Sequence, residues 1–426
     1  MQPIGGLMSQ VVQLPTHPGE PSFPIFSSML GDVNQVLNPY SNPGNLEPNA
    51  LNGAGGALEP DLGRIRAIAE GLERYSSCVF DERQFIWATA EELGDEALDL
   101  DTVPRCSPAE LAHPRCPLLA PNKRAPIRWV RGVSLLDARP VWIPGVMAYL
   151  KLAMLSAGER FHLPISTGCA THVTVEQALL AGVGEVIERD SISLVWLQQL
   201  ELPRIELDEV PPSLGGYLER NARSANGVET LFFDATTELG VPTVYSLGVS
   251  PQNETLAALV MCSTELDAAT AIAKIIREAA SSRIAMLQPR PVPESWDDFT
   301  DVMHGAAFMG RPAQLPAFDF LRHSTGRRRL SDMPGLATGD ARRDLAGLLR
   351  RLRARGMEAF AVDLTTDEAV RAGMRVVKVI IPALQPLSFS YRARYLGHPR
   401  LYEAPRLMGH PVRSEAKINH WPQPFA

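Results

Sequence analysis

The stretch Thr174-Val-Glu-Gln-Ala-Leu-Leu-Ala-Gly-Val-Gly-Glu185-Val-Ile-Glu188-Arg189-Asp190, which continues without a charged residue to Leu200, decides the fold. Its apolar residues are too dense for a solvent-facing helix, so the pattern predicts a long, buried helix from Thr174 to about Leu200. Thr174 suits the N-cap, because Gln177 follows three residues later. No charged residue lies between Glu176 and Glu185. Glu185 therefore interrupts a run that otherwise has the character of a core.

A pattern Glu-x-x-Glu-Arg occurs here and again at Glu70-Gly-Leu-Glu73-Arg74, in a second predicted helix over 64–77. Carboxylates three residues apart share one helix face and repel each other, and burying them unpaired is costly. A cation between the two carboxylates would reduce both their repulsion and the cost of burying them. Mg²⁺ prefers oxygen ligands, takes one or two carboxylates and completes its shell with water and nucleotide phosphate. The four glutamates of the two helices could therefore hold Mg·ATP.

Lys274 and Glu278 form a third candidate group, because residues four apart on a helix are neighbours. They could present a cation and a carboxylate to the same phosphates. The alternative for all five glutamates is that they lie on solvated or Arg-paired helix faces, where ion pairs are common and nearly neutral in energy. The spacing alone does not identify ATP.

Composition limits the class of protein. The chain has 426 residues, of which 45% are hydrophobic and 21% charged, as in ordinary globular proteins. No apolar run reaches the roughly 20 residues that span a bilayer, and the N-terminus does not resemble a signal peptide, so we expect a cytoplasmic protein without membrane contact. The five cysteines form no CxxC pattern and the nine histidines are scattered, which argues against structural zinc. A net charge of −7 disfavours nucleic acid as a partner.

The remaining pattern predicts mixed α and β elements. An antiparallel pair of strands is expected at about 127–136 and 140–143, where a polar turn separates two apolar runs. Further strands are predicted at 229–234, 241–250, 256–263, 358–363 and 375–381, and helices at 267–287 and 341–355. We predict an irregular or strand-bearing lead-in segment over 1–60, a catalytic domain over 61–409 with an insertion or loop-rich excursion at 289–340, and a proline-containing tail over 410–426.

Gly53-Ala-Gly-Gly56 lies just before the first predicted helix. A glycine-rich turn in this position can bind phosphate through free backbone N–H groups. Neither GxGxxG nor GxxxxGK[ST] is present, however, and the interpretation we favour for these four residues is a plain loop.

Several of these blocks resemble, in order, the signatures of the YcaO family. Residues 69–76, with Glu70, Glu73 and Arg74, resemble its first ATP block, and Ser166 to Asp190 resembles its longest and most specific one. Residues 273–283 resemble the third, and matches continue at 362–365, 373–386 and 400–405. The chain departs from the family where Arg66 stands for a usual serine, where Thr167 stands for asparagine, and where Gly53–Gly56 lacks a usual lysine.

The resemblance implies a mixed α/β fold with largely antiparallel sheets packed with helices around a central ATP site. It also implies an ATP-dependent cyclodehydratase that activates backbone amides and converts Cys, Ser or Thr to thiazoline or oxazoline in microcin-like or bacteriocin-like natural products. Within it, five glutamates would hold ATP and Mg²⁺, namely Glu70, Glu73, Glu185, Glu188 and Glu278. Arg74, Arg189 and Lys274 would orient them or neutralise phosphate, and Ala426 would bring the terminal carboxylate near the site.

The partners that the resemblance implies are a ribosomal precursor peptide, a separate leader-recognition protein, a flavin-dependent oxidase and a second copy of the chain. We expect the separate protein because no segment before the core resembles a leader-binding module. Two alternatives remain open. One is peptide thioamidation with a TfuA-like partner, and the other is a non-catalytic, nucleotide-binding scaffold.

Overall fold

The computed structural model describes residues 6–30, 51–288 and 290–425. Helices and strands are interspersed along the chain, as expected from the mixed pattern. The strands are β1 Gln10–Gln13, β2 Ile25–Met29, β3 Gly53–Gly56, β4 Phe85–Ala88, β5 Ile127–Ser134, β6 Pro140–Pro144, β7 Cys169–His172, β8 Arg204–Glu206, β9 Glu229–Asp234, β10 Thr243–Val249, β11 Ala258–Thr264, β12 Arg327–Arg329, β13 Phe360–Asp363 and β14 Arg375–Ile380.

The α-helices differ widely in length, from a single turn to the 24 residues of the long central one. They are α1 Pro60–Ser76, α2 Ala90–Leu93, α3 Pro108–Ala112, α4 Gly145–Ala148, α5 Val175–Gln198, α6 Pro212–Ala222, α7 Ala268–Met286, α8 Val302–Met309, α9 Asp319–Arg322, α10 Ala341–Ala354, α11 Asp367–Arg371 and α12 Arg400–Leu407.

The chain divides into two compact units. The first comprises residues up to Leu14, Pro24–Val186 and Thr338–Leu384, and the second comprises Pro15–Phe23, Ile187–Ala337 and the residues from Gln385 onward. The first unit has a three-stranded sheet, β1-β2-β3, and a sheet in the order β4-β5-β13-β14-β7, with β6 paired to β5. Every pairing in these two sheets is antiparallel.

The second unit has one sheet, in the order β11-β10-β9-β8-β12. Its pairings are antiparallel except that β12 runs parallel to β8. The prediction of mixed, largely antiparallel sheets is therefore confirmed. β12, α8 and α9 all lie within residues 289–340, so this proline-rich stretch contributes a strand to the sheet.

The long helix forms where the sequence predicts it. α5 runs from Val175 to Gln198, and the Thr174 hydroxyl accepts a hydrogen bond from the backbone N–H of Gln177 at 3.3 Å, as the N-cap prediction requires. Eight consecutive residues, 190–197, are buried. Burial on all sides of this part of the helix explains why its apolar pattern has no polar face there.

The glycines at 53 and 55 form strand β3, so the interpretation as a loop is wrong. This strand packs directly on helix α1. A Cβ atom at Gly53 would lie 2.2 Å from the backbone nitrogen of Gly71, and one at Gly55 would lie 2.3 Å from that of Ala67. Only glycine allows the two backbones to approach so closely. The absence of a Cβ atom at Gly53 and Gly55 therefore allows β3 to pack directly on the helix that carries Glu70 and Glu73.

Candidate active site

Glu70, Glu73 and Glu185 form a group within the first unit, which we call the acidic cluster. α1 supplies Glu70 and Glu73 on one face, and α5 supplies Glu185. Glu70 accepts a hydrogen bond from the Ala54 N–H at 2.8 Å and forms an ion pair with Arg74 at 2.6 Å. The Glu-x-x-Glu-Arg spacing thus places its own arginine beside the first carboxylate of the motif.

Glu73 is a carboxyl of the acidic cluster whose surroundings disfavour its charged form. Burial, and after it the charges of Glu185 and Glu70, raise the pKa of Glu73 well above its usual range, although Arg74 and the Thr171 N–H act against the shift. Two like charges facing a poorly hydrated third one account for this direction. The direction of this pKa shift agrees with the repulsion that the spacing predicts, and a proton or a nearby cation would relieve it.

Glu185 is held by the chain segment just before β7. Its Oε2 accepts a hydrogen bond from the Gly168 N–H at 3.1 Å. Gly168 has a φ of +84°, and a Cβ there would lie 2.2 Å from the Val379 carbonyl oxygen. Glycine is required here both by its backbone conformation and by its neighbour. Next to it, Cys169 is 3% exposed and its thiol pKa is raised, chiefly by burial, which agrees with a small core residue rather than a nucleophile.

The second motif glutamate of α5 belongs to a group in the second unit, which we call the Glu188 group. Glu188 is 3% exposed. It accepts hydrogen bonds from the Thr264 N–H at 3.0 Å and from Arg189 at 2.9 Å, and Lys274 Nζ lies 3.6 Å from its Oε2. Burial would lower the pKa of Lys274, but Glu188, Glu278 and Glu265 raise it well above its usual value. Lys274 therefore stays charged among carboxylates.

The last predicted glutamate, Glu278, belongs to the same group through helix α7. It forms an ion pair with Arg277 at 2.9 Å and contributes to the raised pKa of Lys274. Ala426, predicted to approach the site, lies outside the described residues. Phe425 just before it is buried, and the Arg189 guanidinium lies 4.7 Å from the centre of its ring. The tail thus packs against a residue of the Glu188 group.

The residues fit Mg²⁺ bound together with a nucleotide rather than a metal ion held by protein alone. Within residues 6–30, 51–288 and 290–425, no three His, Cys, Asp or Glu side chains are gathered closely enough to enclose a metal ion. Mg²⁺ usually takes only one or two carboxylates and obtains its other ligands from water and phosphate oxygens. The raised pKa of Glu73 supports this fit, because a nearby cation would relieve the crowding of negative charge.

Two sets of residues beside these groups were not predicted as functional. Glu265 lies 3.4 Å from Lys274, and no spacing in the sequence relates the two. Asp190, next to the second motif, accepts hydrogen bonds from Arg400 at 2.7 Å and from the Gln385 N–H at 2.8 Å. Arg400 also pairs with Glu238, and all three charged side chains are buried. An aspartate that directly follows Glu-Arg inside an apolar helix was the one available sign of this buried network.

Comparison with known proteins identifies the family. A family model described as YcaO cyclodehydratase, ATP- and Mg²⁺-binding, matches residues 54–385, and the chain therefore belongs to the YcaO family. An uncharacterised protein in the tfuA 3′ region of Rhizobium leguminosarum bv. trifolii is 27% identical over 316 residues, covering 70% of this chain and 68% of that protein.

Two solved structures share the fold. A heterocyclase in complex with substrate and cofactor matches with a TM-score of 0.79 and 21% identity, over 100% of this chain. The chain spans only 56% of that heterocyclase. YcaO from Methanopyrus kandleri, bound with AMPPCP and Mg²⁺, matches with a TM-score of 0.61 and 18% identity, over 88% of this chain and 86% of that one. The YcaO-type fold expected from the motifs is thus confirmed.

Within residues 6–30, 51–288 and 290–425, no helix combines the length and the apolar character needed to cross a bilayer.

Proposed function

We propose that this protein uses ATP to activate backbone amides of a ribosomal precursor peptide and cyclodehydrates its Cys, Ser or Thr residues to thiazolines or oxazolines. The observation that carries the proposal is the state of the acidic cluster. Glu70 and Glu185 help to raise the pKa of the partly buried Glu73, which is the electrostatic setting that a divalent cation would relieve. The family description, ATP- and Mg²⁺-binding, supports the same assignment.

The chemistry requires a better leaving group than an amide oxygen. A side-chain thiol or hydroxyl loses its proton as it attacks the preceding carbonyl, and the resulting oxyanion takes the γ-phosphoryl group of ATP. The amide nitrogen then loses its proton as phosphate leaves and the C=N bond forms. ATP is consumed as a co-substrate, and ADP and phosphate are the products. No covalent protein nucleophile is needed, so the protein contributes positioning and electrostatic stabilisation.

The residues divide this work by charge. One or two of the carboxylates of Glu70, Glu73 and Glu185 would supply oxygen ligands to Mg²⁺. Glu188 and Glu278 are proposed as further residues for ATP and Mg²⁺. Arg74 holds Glu70 at 2.6 Å and Arg189 holds Glu188 at 2.9 Å, so each arginine would orient a ligand. Three carboxylates keep Lys274 protonated, and its ammonium group would form an ion pair with a phosphate of ATP. Phe425 under Arg189 suggests that the tail acts in the same neighbourhood.

The decisive experiment replaces carboxylates without changing their shape. Glu185→Gln and Glu188→Gln should keep the wild-type circular dichroism spectrum but lose ATP consumption, measured as ADP release. Glu176→Gln is the matched control, because it lies on the same helix and pairs with Arg342 at 2.8 Å. It should consume ATP at the wild-type rate. Wild-type rates in both site variants would return these glutamates to the class of ordinary helix-face carboxylates. A scaffold, by contrast, would show nucleotide binding without turnover in the wild-type protein.

Thioamide formation is the second candidate, and one comparison favours it. The Rhizobium relative is encoded in a tfuA 3′ region, and a TfuA-like partner was the alternative that the motifs left open. The two reactions would share the ATP site and differ in the nucleophile, which is a side chain of the peptide in the first reaction and an external sulfide donor in the second. Mass spectrometry of the peptide product separates them, because dehydration removes about 18 Da and exchange of oxygen for sulfur adds about 16 Da, as the atomic masses require.

We further propose that a separate protein delivers the peptide. The prediction is that the purified chain acts slowly on its precursor, and that addition of the leader-recognition protein accelerates it. Full activity on a leader-bearing peptide without any partner would instead assign peptide capture to this chain. A flavin-dependent oxidase would act afterwards, converting azolines to azoles, and sedimentation would test the expected homodimer.

A further inference from the structure

Lys378 is a buried lysine with an unusual pair of partners. It lies in β14, opposite Cys169 of the neighbouring strand β7, and is only 4% exposed. Its Nζ donates hydrogen bonds to two backbone carbonyls, those of Ile165 at 2.6 Å and Thr167 at 2.7 Å. In the described part of the chain, no carboxylate lies within ion-pair distance of this ammonium group. A buried charge that binds only carbonyls is costly, so a function beyond packing is expected.

The two carbonyls flank the segment that leads to Gly168. The Gly168 N–H donates to Glu185 Oε2 at 3.1 Å, and the Gly168 carbonyl accepts from the Val379 N–H at 2.8 Å. Lys378 and Val379 are consecutive, so one strand fixes this segment through both a side chain and a backbone N–H. The contacts of Lys378 and Val379 in β14 therefore orient the Gly168 N–H that donates to Glu185.

The charge of Lys378 affects a thiol that two glutamates of the acidic cluster also affect. Burial raises the pKa of the Cys169 thiol, Lys378 acts to lower it, and Glu73 and Glu185 act to raise it. The ammonium and the two carboxylates thus act on the same sulfur atom.

We propose that Lys378 is a positioning residue that orders residues 165–168 so that the Gly168 N–H holds the Glu185 carboxylate in place for Mg²⁺ and nucleotide. This inference rests on the proposed function, because it assumes that Glu185 faces the metal. Lys378 itself makes no contact with the nucleotide. It acts through the segment that it binds, and its contribution disappears when Glu185 is replaced.

The test compares Lys378→Met, Glu185→Gln and the double variant by titrating a non-hydrolysable ATP analogue at several Mg²⁺ concentrations. Lys378→Met should weaken Mg²⁺-dependent binding roughly tenfold, the effect expected from loss of a charge-assisted hydrogen bond. The double variant should bind no more weakly than Glu185→Gln alone. Lys378→Arg keeps the charge and should restore most of the affinity. Lys123→Met is the control, since that partly exposed lysine pairs with Asp99 and Asp101 and not with the segment 165–168.

Hydrogen exchange supplies a readout that does not depend on ATP. In Lys378→Met, the peptide that contains residues 165–168 should exchange faster, with little change elsewhere in the first unit. If the Met variant does not fold, Lys378→Gln is measured instead, with a smaller effect in the same direction. Additive losses in the double variant, or wild-type affinity in Lys378→Met while Glu185→Gln is impaired, would overturn the inference and leave the proposed function intact. Wild-type protein that binds no nucleotide would overturn the proposed function itself.

Discussion

Lys274 Nζ lies 3.6 Å from Glu188 and 3.4 Å from Glu265, so one ammonium group neutralises two carboxylates that are distant in sequence. Lys274→Met removes the cation and leaves Glu188 buried beside negative charge. We expect a loss of roughly 1–3 kcal/mol in the free energy of unfolding and at least a tenfold loss of ATP consumption. Chemical denaturation and ADP release measure the two effects. Lys417→Met, at an exposed position, should change neither.

Glu73 makes the metal-free protein sensitive to pH. Its pKa is raised in the folded state, chiefly by burial. The folded chain therefore holds this proton more tightly than the unfolded chain, and the resulting stability is present below about pH 4.3 and lost as pH rises through the raised pKa. Glu73→Gln removes this loss, so in buffer without divalent cations its Tm should exceed that of the wild type, by more as pH rises.

The pKa of Glu176 is shifted in the direction opposite to that of Glu73, so Glu176 serves as a comparison. Its hydrogen bond with Arg342 lowers the pKa of Glu176, so its contribution is present above the unfolded pKa and lost as pH falls. Glu176→Gln should therefore not gain stability at neutral pH. Equal Tm values for Glu73→Gln and wild type across this range would contradict a crowded Glu73.

The contact between Gly53 and Gly71 leaves no room for a methyl group. Gly53→Ala would place a carbon 2.2 Å from a backbone nitrogen, and backbone cannot move aside as a flexible side chain can. We expect at least the roughly 1–3 kcal/mol cost of overpacking, together with reduced nucleotide affinity because α1 carries Glu70 and Glu73. Gly347→Ala in α10, where the nearest atom is 3.8 Å away, is the control and should be neutral or stabilising by up to about 1 kcal/mol.

Arg400 is the centre of a buried network with Asp190 and Glu238. Arg400→Met would leave two buried carboxylates without their cation, and such changes cost roughly 3–5 kcal/mol. Urea denaturation measures the loss. Arg322→Met removes an exposed pair with Asp319 and should change the free energy of unfolding by less than about 0.5 kcal/mol. A small effect at Arg400 would mean that water enters the network.

We expect the C-terminal tail to contribute to cyclisation of the peptide and not to nucleotide binding. Trp196 donates to the Trp421 carbonyl at 3.2 Å, and Phe425 lies under Arg189 at 4.7 Å. Removal of residues 420–426 should slow cyclisation of the peptide severalfold, while binding of the nucleotide analogue persists. Phe425→Leu, which keeps an apolar anchor, should retain more activity than the truncation. Unchanged cyclisation after truncation would show that the tail has no part in the reaction.

The sequence predicts well those features that depend on neighbours along the chain. The bounds of α5, its N-cap at Thr174 and the hairpin of β5 and β6 follow from local periodicity and turn chemistry, and the structure confirms them. The positions of Glu70 and Glu73 on one face of α1 follow from helical spacing in the same way. The motifs also identify the family, because their order along the chain is specific.

Features that depend on contacts between distant segments could not be predicted. The choice of β3 over a loop at Gly53–Gly56 depends on the backbone of α1, which the local pattern does not contain. The pairings of Lys274 with Glu265 and of Arg400 with Asp190 join residues whose separations follow no periodic rule. The hydrogen bonds of Lys378 to residues 165 and 167 require the register of β14 on β7.

The complete burial of the second half of α5 has a consequence for synthesis of the protein. Ser193 bonds the Pro386 carbonyl, 193 residues later, and Trp196 bonds the Trp421 carbonyl, 225 residues later. When this apolar helix leaves the ribosome, the segments that cover it have not yet been translated. The nascent chain therefore exposes an apolar segment until residues 386–421 have been synthesised, and we expect it to be prone to aggregation through the helix that carries Glu185 and Glu188.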